Sequence, residues 1–427
     1  MPEGHNSLAL TPHPLRAQVL AELHARPFTP VATPSRLLRF GFTTDAEAAS
    51  AATTAMIAFC EQRGIAPPRP EARHFSTDLS EGRLRFERHN EFVTYTWEFP
   101  AGTDAFEPAG DVLGRAMALV PQPGPLIVAI DMHVVPANRA PDFAAAFAGA
   151  NIVASEVEDE RALIATDFLP DAHGFVRILI VDKQLTPIST GALAQRLLEI
   201  ETYRTLALLG LPEAQRCLPI IERIDAQLPV LMRDVQDGSG FDTNRALLDR
   251  LTALAAEVEA QAAETSFRFG ATRAYDELVA LRIEAIKENH LPHHSTLASF
   301  LSRRMAPAMR TCVTVEKRLT DLSEKIARLA ELLRTRVDIE LESQNALQLR
   351  QMGERVRLQL RLQQTVEGLS IAAITYYVAS VFHLIFDGLH VRGWPVEPTV
   401  ATALMLPFIF VAVAFTIWRV RHRHRVD

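Results

Sequence analysis

The sequence predicts an α+β (or α/β) N-terminal cytoplasmic domain, a long helical or coiled-coil stalk and a C-terminal two-helix transmembrane hairpin. Three observations carry this expectation. Short apolar runs alternate with turn residues through residues 1–186, which hold 17 of the 26 prolines. No proline falls between Pro307 and Pro395. Two long apolar stretches without Asp, Glu, Lys or Arg lie close to the C-terminus.

Within residues 1–186, Arg36–Phe42 reads as a strand and Asp45–Arg63, rich in alanine, as a helix. Arg83–Arg88 and Glu91–Phe99 carry β-formers on either side of a turn at His89-Asn90. Leu126–Val135 reads as a buried strand, followed by a short helix over Pro141–Ala148. Ile152–Glu156, Leu163–Phe168 and Val176–Val181 complete the strands. Strands mixed with helices imply a layered domain in which the sheet needs a helical cover.

Residues 187–306 form a helical region. Ala192–Leu209, Pro212–Val235 and Thr243–Asn289 show helical apolar spacing, the last two separated by a glycine-containing acidic turn at 237–242. The stalk, residues 307–367, follows. Cys312, Val315, Leu319, Leu322, Ile326, Leu329 and Leu333 alternate spacings of three and four, an a/d seam. Val337, Leu341, Asn345 and Leu349 then recur every four residues, which unwinds seven-residue phasing. One helix of about 60 residues, roughly 90 Å at 1.5 Å per residue, is expected to run into the first apolar stretch. Its seam needs either an earlier helix of the same chain or another copy.

The hairpin occupies residues 368–418. Gly368–Phe386 has 19 uncharged residues and Pro398–Trp418 has 21, each enough to cross a core roughly 30 Å thick. Arg355, Arg357 and Arg361 precede the first stretch; Arg419, Arg421, Arg423 and Arg425 lie in the basic tail, 419–427. The loop between them holds Arg392 against Asp387 and Glu397. The positive-inside rule therefore puts both termini in the cytoplasm, as expected of a two-pass protein of a bacterial inner membrane. No apolar signal-peptide core occurs in the first 16 residues.

Composition narrows the function. A formal net charge of −7 argues against general nucleic-acid binding. Three scattered cysteines do not make a disulfide framework or a Cys-rich zinc site. No dinucleotide fingerprint, Walker loop, nucleophile elbow or zincin motif is present, so no cofactor is expected. The metal question stays open: His290, His293 and His294, interrupted by Pro292, read as a turn between helices.

Candidate sites fall in two places. Ala373, Tyr376, Ser380, His383 and Asp387 share one face of the first span, where polar groups line either a water-filled path or a helix interface. His24 and Arg26, with His89 and Glu91 from another segment, are candidates for a small polar site suited to proton relay or metal binding. Asp131 and His133 share one side of a strand, and Glu201 and Arg204 share a helix face as an i,i+3 pair.

Several segments carry a resemblance: His13-Pro14-Leu15, Glu22–Pro27, Phe86–Phe92, Glu199–Arg204, Leu206–Gly210 and the terminal hairpin. In these the chain resembles an uncharacterised bacterial family of membrane-anchored proteins, a domain of unknown function, over nearly its whole length. That resemblance implies no activity. The architecture is also similar to CorA-type magnesium transporters, which carry Gly-Met-Asn after the first span. Here the corresponding stretch is Phe386-Asp-Gly-Leu-His390, so the resemblance implies topology and an oligomer but not magnesium selection. The expected function is a non-enzymatic, homo-oligomeric scaffold or interaction platform on a lipid bilayer, with protein partners. An ion channel or transporter lined by the first span is the alternative.

Overall fold

The computed structural model describes residues 13–16, 19–20, 28–80, 82–101, 105–106, 120–147, 151–238 and 240–423. It is mixed α+β: a nine-stranded N-terminal sheet, then long helices, the last two of them apolar. The chain divides into two compact units. One comprises Met1–Arg233 with Arg250–Leu329, the other Asp234–Asp249 with Ala330–Asp427.

The strands of the first unit are β1 (Ser35–Thr43), β2 (His74–Asp78), β3 (Arg83–Arg88), β4 (Phe92–Pro100), β5 (Leu126–Pro136), β6 (Val153–Val157), β7 (Ala162–Pro170), β8 (Val176–Asp182) and the two-residue β9 (Asn289–His290). Their order is β2-β3-β4-β1-β5-β8-β7-β6-β9, antiparallel except for the parallel β5·β8 pair. Apolar alternation in the sequence finds these strands within a few residues but misses β2 and β9. His74–Asp78 is polar and half exposed, and β9 is too short to carry a period.

Alternation assigns the two faces. Leu38, Phe40 and Phe42 pack with Tyr95, Trp97 and Phe86 beneath helix α1 (Ala46–Gln62), which presents Ala52, Met56 and Phe59. Asp45 caps that helix by accepting from the Ala48 amide. Farther along the same face, Val135, Leu179 and Val181 meet Ala146 of the short helix α2 (Phe143–Ala146). On the opposite face Leu37, Met132, Val134 and Ile180 pack against Leu193, Leu197 and Ile200 of helix α3 (Pro187–Leu208). The close approach of α3 to the preceding segment requires Gly191, because a Cβ there would lie 1.9 Å from the Thr29 carbonyl oxygen.

Helices α4 (Gly210–Asp237), α5 (Phe241–Ile286), α6 (Leu297–Arg304) and α7 (Ala306–Val391) follow. Within the first unit, Cys312, Val315, Leu319, Leu322 and Ile326 of α7 are at most 3% exposed. Flanking polar groups tie that stretch to its own chain: Arg318 donates to Asp225 of α4 at 2.7 Å, while Ser323 and Arg273 bridge α5 and α7 through Glu259 and Glu316. Over these residues the apolar seam is covered intramolecularly. All three cysteines are buried thiols, and burial pushes each above its ordinary pKa, which disfavours the reactive thiolate.

In the second unit, Leu333 is fully buried, and Arg336 and Glu340 reach Val235 O and Asn244. Residues 341–366 are exposed throughout. Helix α7 continues without a break to Val391, and α8 (Pro398–Arg423) returns after residues 392–397. Both helices are long and apolar enough to cross a membrane, with best windows of mean hydropathy 1.8 and 2.4 that are only 11% and 6% buried.

Candidate functional site

The polar stripe of α7 divides when its neighbours are known. Thr375 and Ala379, both 7% exposed, face α8, where Ile409 is similarly buried. His383 joins this contact through a 3.0 Å hydrogen bond with Thr402. Thr402 Oγ1 also lies 2.7 Å from Pro398 O, one turn earlier in α8. Tyr376, 69% exposed, and Asp387 lie away from that contact, with Ser380 half-buried at its margin.

His24 and Arg26 lie outside the described residues. His89 stacks on Phe92 with ring centroids 4.0 Å apart. Glu91 accepts both arms of Arg268 from α5, at 3.2 and 2.5 Å. Beside them, burial first and then the Glu91 carboxylate raise the Tyr275 hydroxyl well above its ordinary pKa. Glu91 thus clamps the β3–β4 connection to a helix 177 residues away in sequence.

A second polar group is built across β1 and β5. Arg36 sits opposite His133 and diagonal to Asp131, a spacing within reach of a long side chain. Its Nε and Nη2 donate to the two Asp131 oxygens at 2.8 and 2.7 Å. His133 Nε2 lies 3.4 Å from Asp131 Oδ1 but off the direction of a proper hydrogen bond. Burial opposes charge on Asp131, yet His133 and the Arg36 fork hold its pKa below the ordinary aspartate value. Asp131 and His133 are each 3% exposed and the ring of Phe106 covers His133, so the cluster acts as an internal clasp. A third network, Arg39 with Glu87, Thr94 and Thr96, ties β1, β3 and β4 together on the other face.

A further accessible site lies where β7 meets α6. The β7·β8 register shifts between Thr166 and Pro170, and Phe168 adopts a left-handed φ of 55°. The Phe168 ring thereby stacks on Phe300 of α6, centroids 5.1 Å apart and 17° from parallel. Arg204 lies over Phe168 at 5.1 Å and Arg304 over Phe300 at 4.9 Å, so each ring of the pair carries a guanidinium. Glu201 accepts from Nε and Nη2 of Arg204 with its two carboxylate oxygens. Burial would lower the Arg204 pKa, but the Glu201 charge and hydrogen bonds raise it overall.

Two cavities adjoin this stack and share Asn151, Phe300 and Arg304. The smaller, about 220 Å³, is walled by Phe168, Leu208 and Asp167. The larger, about 460 Å³, is polar and lined by His293, His294, Ser295 and Arg303. His293 has a left-handed φ of 69°, so two non-glycine residues in disfavoured backbone conformations border the same site. Three of these features escape sequence reasoning: the swing of Phe168, the stacking of Phe300 and the convergence of Arg303 and Arg304. The histidine turn is the sole local signal. No group of three or more His, Cys, Asp or Glu side chains able to hold a metal occurs among the described residues.

A family model described as a protein of unknown function (DUF3422) matches residues 11–424. The chain belongs to this family. The match runs from before the sheet through both apolar helices, so the α+β unit and the hairpin are parts of one family architecture. No curated protein matches the sequence.

Proposed function

We propose that this DUF3422 member is a two-pass protein of a bacterial inner membrane, with both termini and the α+β unit in the cytoplasm. It works there as a homo-oligomeric interaction platform. The observation that carries the reading is the continuity of α7. One unbroken helix begins in contact with α4 and α5 and ends as the first of two exposed apolar helices. Arginines on the near side of each span support the orientation.

The test is compartment-specific labelling in spheroplasts after the three native cysteines are replaced. A cysteine at Arg392 should react with a membrane-impermeant maleimide, and one at Arg328 should not. Reversal, or loss of the protein from the membrane fraction, would sink the topology. Light scattering of the detergent-solubilised chain, corrected for bound detergent, then tests the oligomer; a monomer would refute it.

A second reading has its own support. Tyr376 and Asp387 point away from the α7–α8 contact, the arrangement needed if first spans from several copies surround an ion path as in CorA-type proteins. Flux through proteoliposomes should then change with Tyr376→Phe and Asp387→Asn, whereas a platform without a pore tolerates both.

A further inference from the structure

The stacked site beside α6 has the composition of an anion receptor whose cations are already oriented. Two Arg303 donors, Nε and Nη2, go to neutral acceptors, Ser299 O at 3.1 Å and Ser295 Oγ at 2.9 Å, which leaves Nη1 for a ligand. The Arg304 guanidinium lies over the Phe300 ring, 4.9 Å from its centroid, and no carboxylate among the described residues pairs with either guanidinium. An arginine immobilised by a ring face has already lost much of its rotamer freedom, so less entropy remains to be lost on ligand binding.

The α6 N-terminus does not provide the attraction. Its Leu297 and Ala298 amides donate to Glu288 at 2.8 and 2.7 Å, and the Ser299 amide donates to Thr296. The side chains do. Polarity differs between the neighbouring cavities: the smaller carries Phe168, Leu208 and Met305 beside Asp167, Arg204 and Arg304. An anion is drawn to the larger cavity, whose lining holds Arg303, Arg304 and two histidines and no carboxylate.

We propose that these two cavities bind an organic phosphate. Its phosphate lies between Arg303, Arg304 and His293, and its planar or apolar part lies against the Phe300–Phe168 stack. Bidentate guanidinium donors match phosphate oxygens, and together the cavities are of the size usual for small-molecule sites. The proposal stands whether or not the hairpin crosses a bilayer.

Calorimetric titration of the full-length, detergent-solubilised protein tests it with three probes: pyrophosphate, ADP and monomeric dihexanoyl phosphatidylglycerol. ADP or the short-chain lipid should bind at least threefold tighter than pyrophosphate. The preferred probe identifies a soluble phosphate or a lipid headgroup as the source. The Arg303→Ala/Arg304→Ala double variant should weaken binding tenfold or more, Arg304→Lys less, and Phe300→Leu should weaken the organic probes but not pyrophosphate. Thermal unfolding of each variant checks that the fold persists, and Arg303→Gln serves if the double variant is unstable. Absence of binding by all three probes at millimolar concentration would overturn the proposal, as would affinity unchanged by the arginine variants. Equal affinity for pyrophosphate and both organic probes would overturn the assignment of the apolar end.

Discussion

The α+β unit and the stretch 341–366 both carry leucine, valine and arginine, yet they treat them oppositely. In the unit, apolar side chains are covered and buried charges are forked together, as in Arg36–Asp131 and Arg268–Glu91. In 341–366, Leu347, Leu349, Met352, Val356, Leu358, Leu360 and Leu362 are all more than half exposed, and no ion pair forms among the described residues. The difference is one of phase. Seven-residue spacing through Ile326 keeps one stripe aimed at neighbouring helices, whereas Val356, Leu358, Leu360 and Leu362 step by two. A two-residue step rotates about 200° around a helix of 3.6 residues per turn, so these side chains leave in opposed directions. A single neighbour in the same chain cannot cover them.

This contrast is most directly broken at Asp131. Asp131→Ala leaves the Arg36 guanidinium buried without its carboxylate and should cost about 3–5 kcal/mol, read by denaturant unfolding. A loss below 1 kcal/mol would mean the clasp is not a stabilising feature. The same pair sets an acid limit. Because folding depresses the Asp131 pKa, its contribution is complete above the unfolded value of about 3.9 and is lost as pH falls through the lower folded value. Asp131→Asn should therefore flatten stability against pH below about 4.

Next in size is the seam. Ile326→Ala removes a fully buried side chain and should destabilise by about 2–5 kcal/mol in the same assay. Glu91→Gln should cost less, about 1.5 kcal/mol, because amide bonds to Arg268 replace charge-assisted ones; a double-mutant cycle with Arg268→Gln would expose any coupling. Leu349→Ala should change unfolding of the isolated chain by no more than about 0.5 kcal/mol. Its expected effect is on assembly: if a second copy covers this stretch, the mass from light scattering should shift toward the monomer. A variant with unchanged mass would place the oligomer contact elsewhere.

Local features are legible in the amino-acid order itself. The hydrophobic period marks most strands and every long helix, because burial on one face imposes that period whatever the partner is. Apolar length and the flanking arginines mark the hairpin in the same local way. The Glu201–Arg204 pair is readable too, since three residues along a helix bring side chains together. Asp131 and His133 can be placed on one side of a strand, but nothing local assigns Arg36, 95 residues distant, to them.

Tertiary structure alone decided the rest. Strand order and register brought Arg36 diagonal to Asp131, and helix packing put Arg268 on Glu91. It covered residues 312–326 with helices of the same chain, a choice that a seam by itself leaves open. It also swung Phe168 out through a register shift to meet Phe300, aligning two arginines from segments a hundred residues apart. Periodicity reports only that a face must be buried; which distant face completes it depends on contacts whose free energy exists only once the chain has closed upon itself.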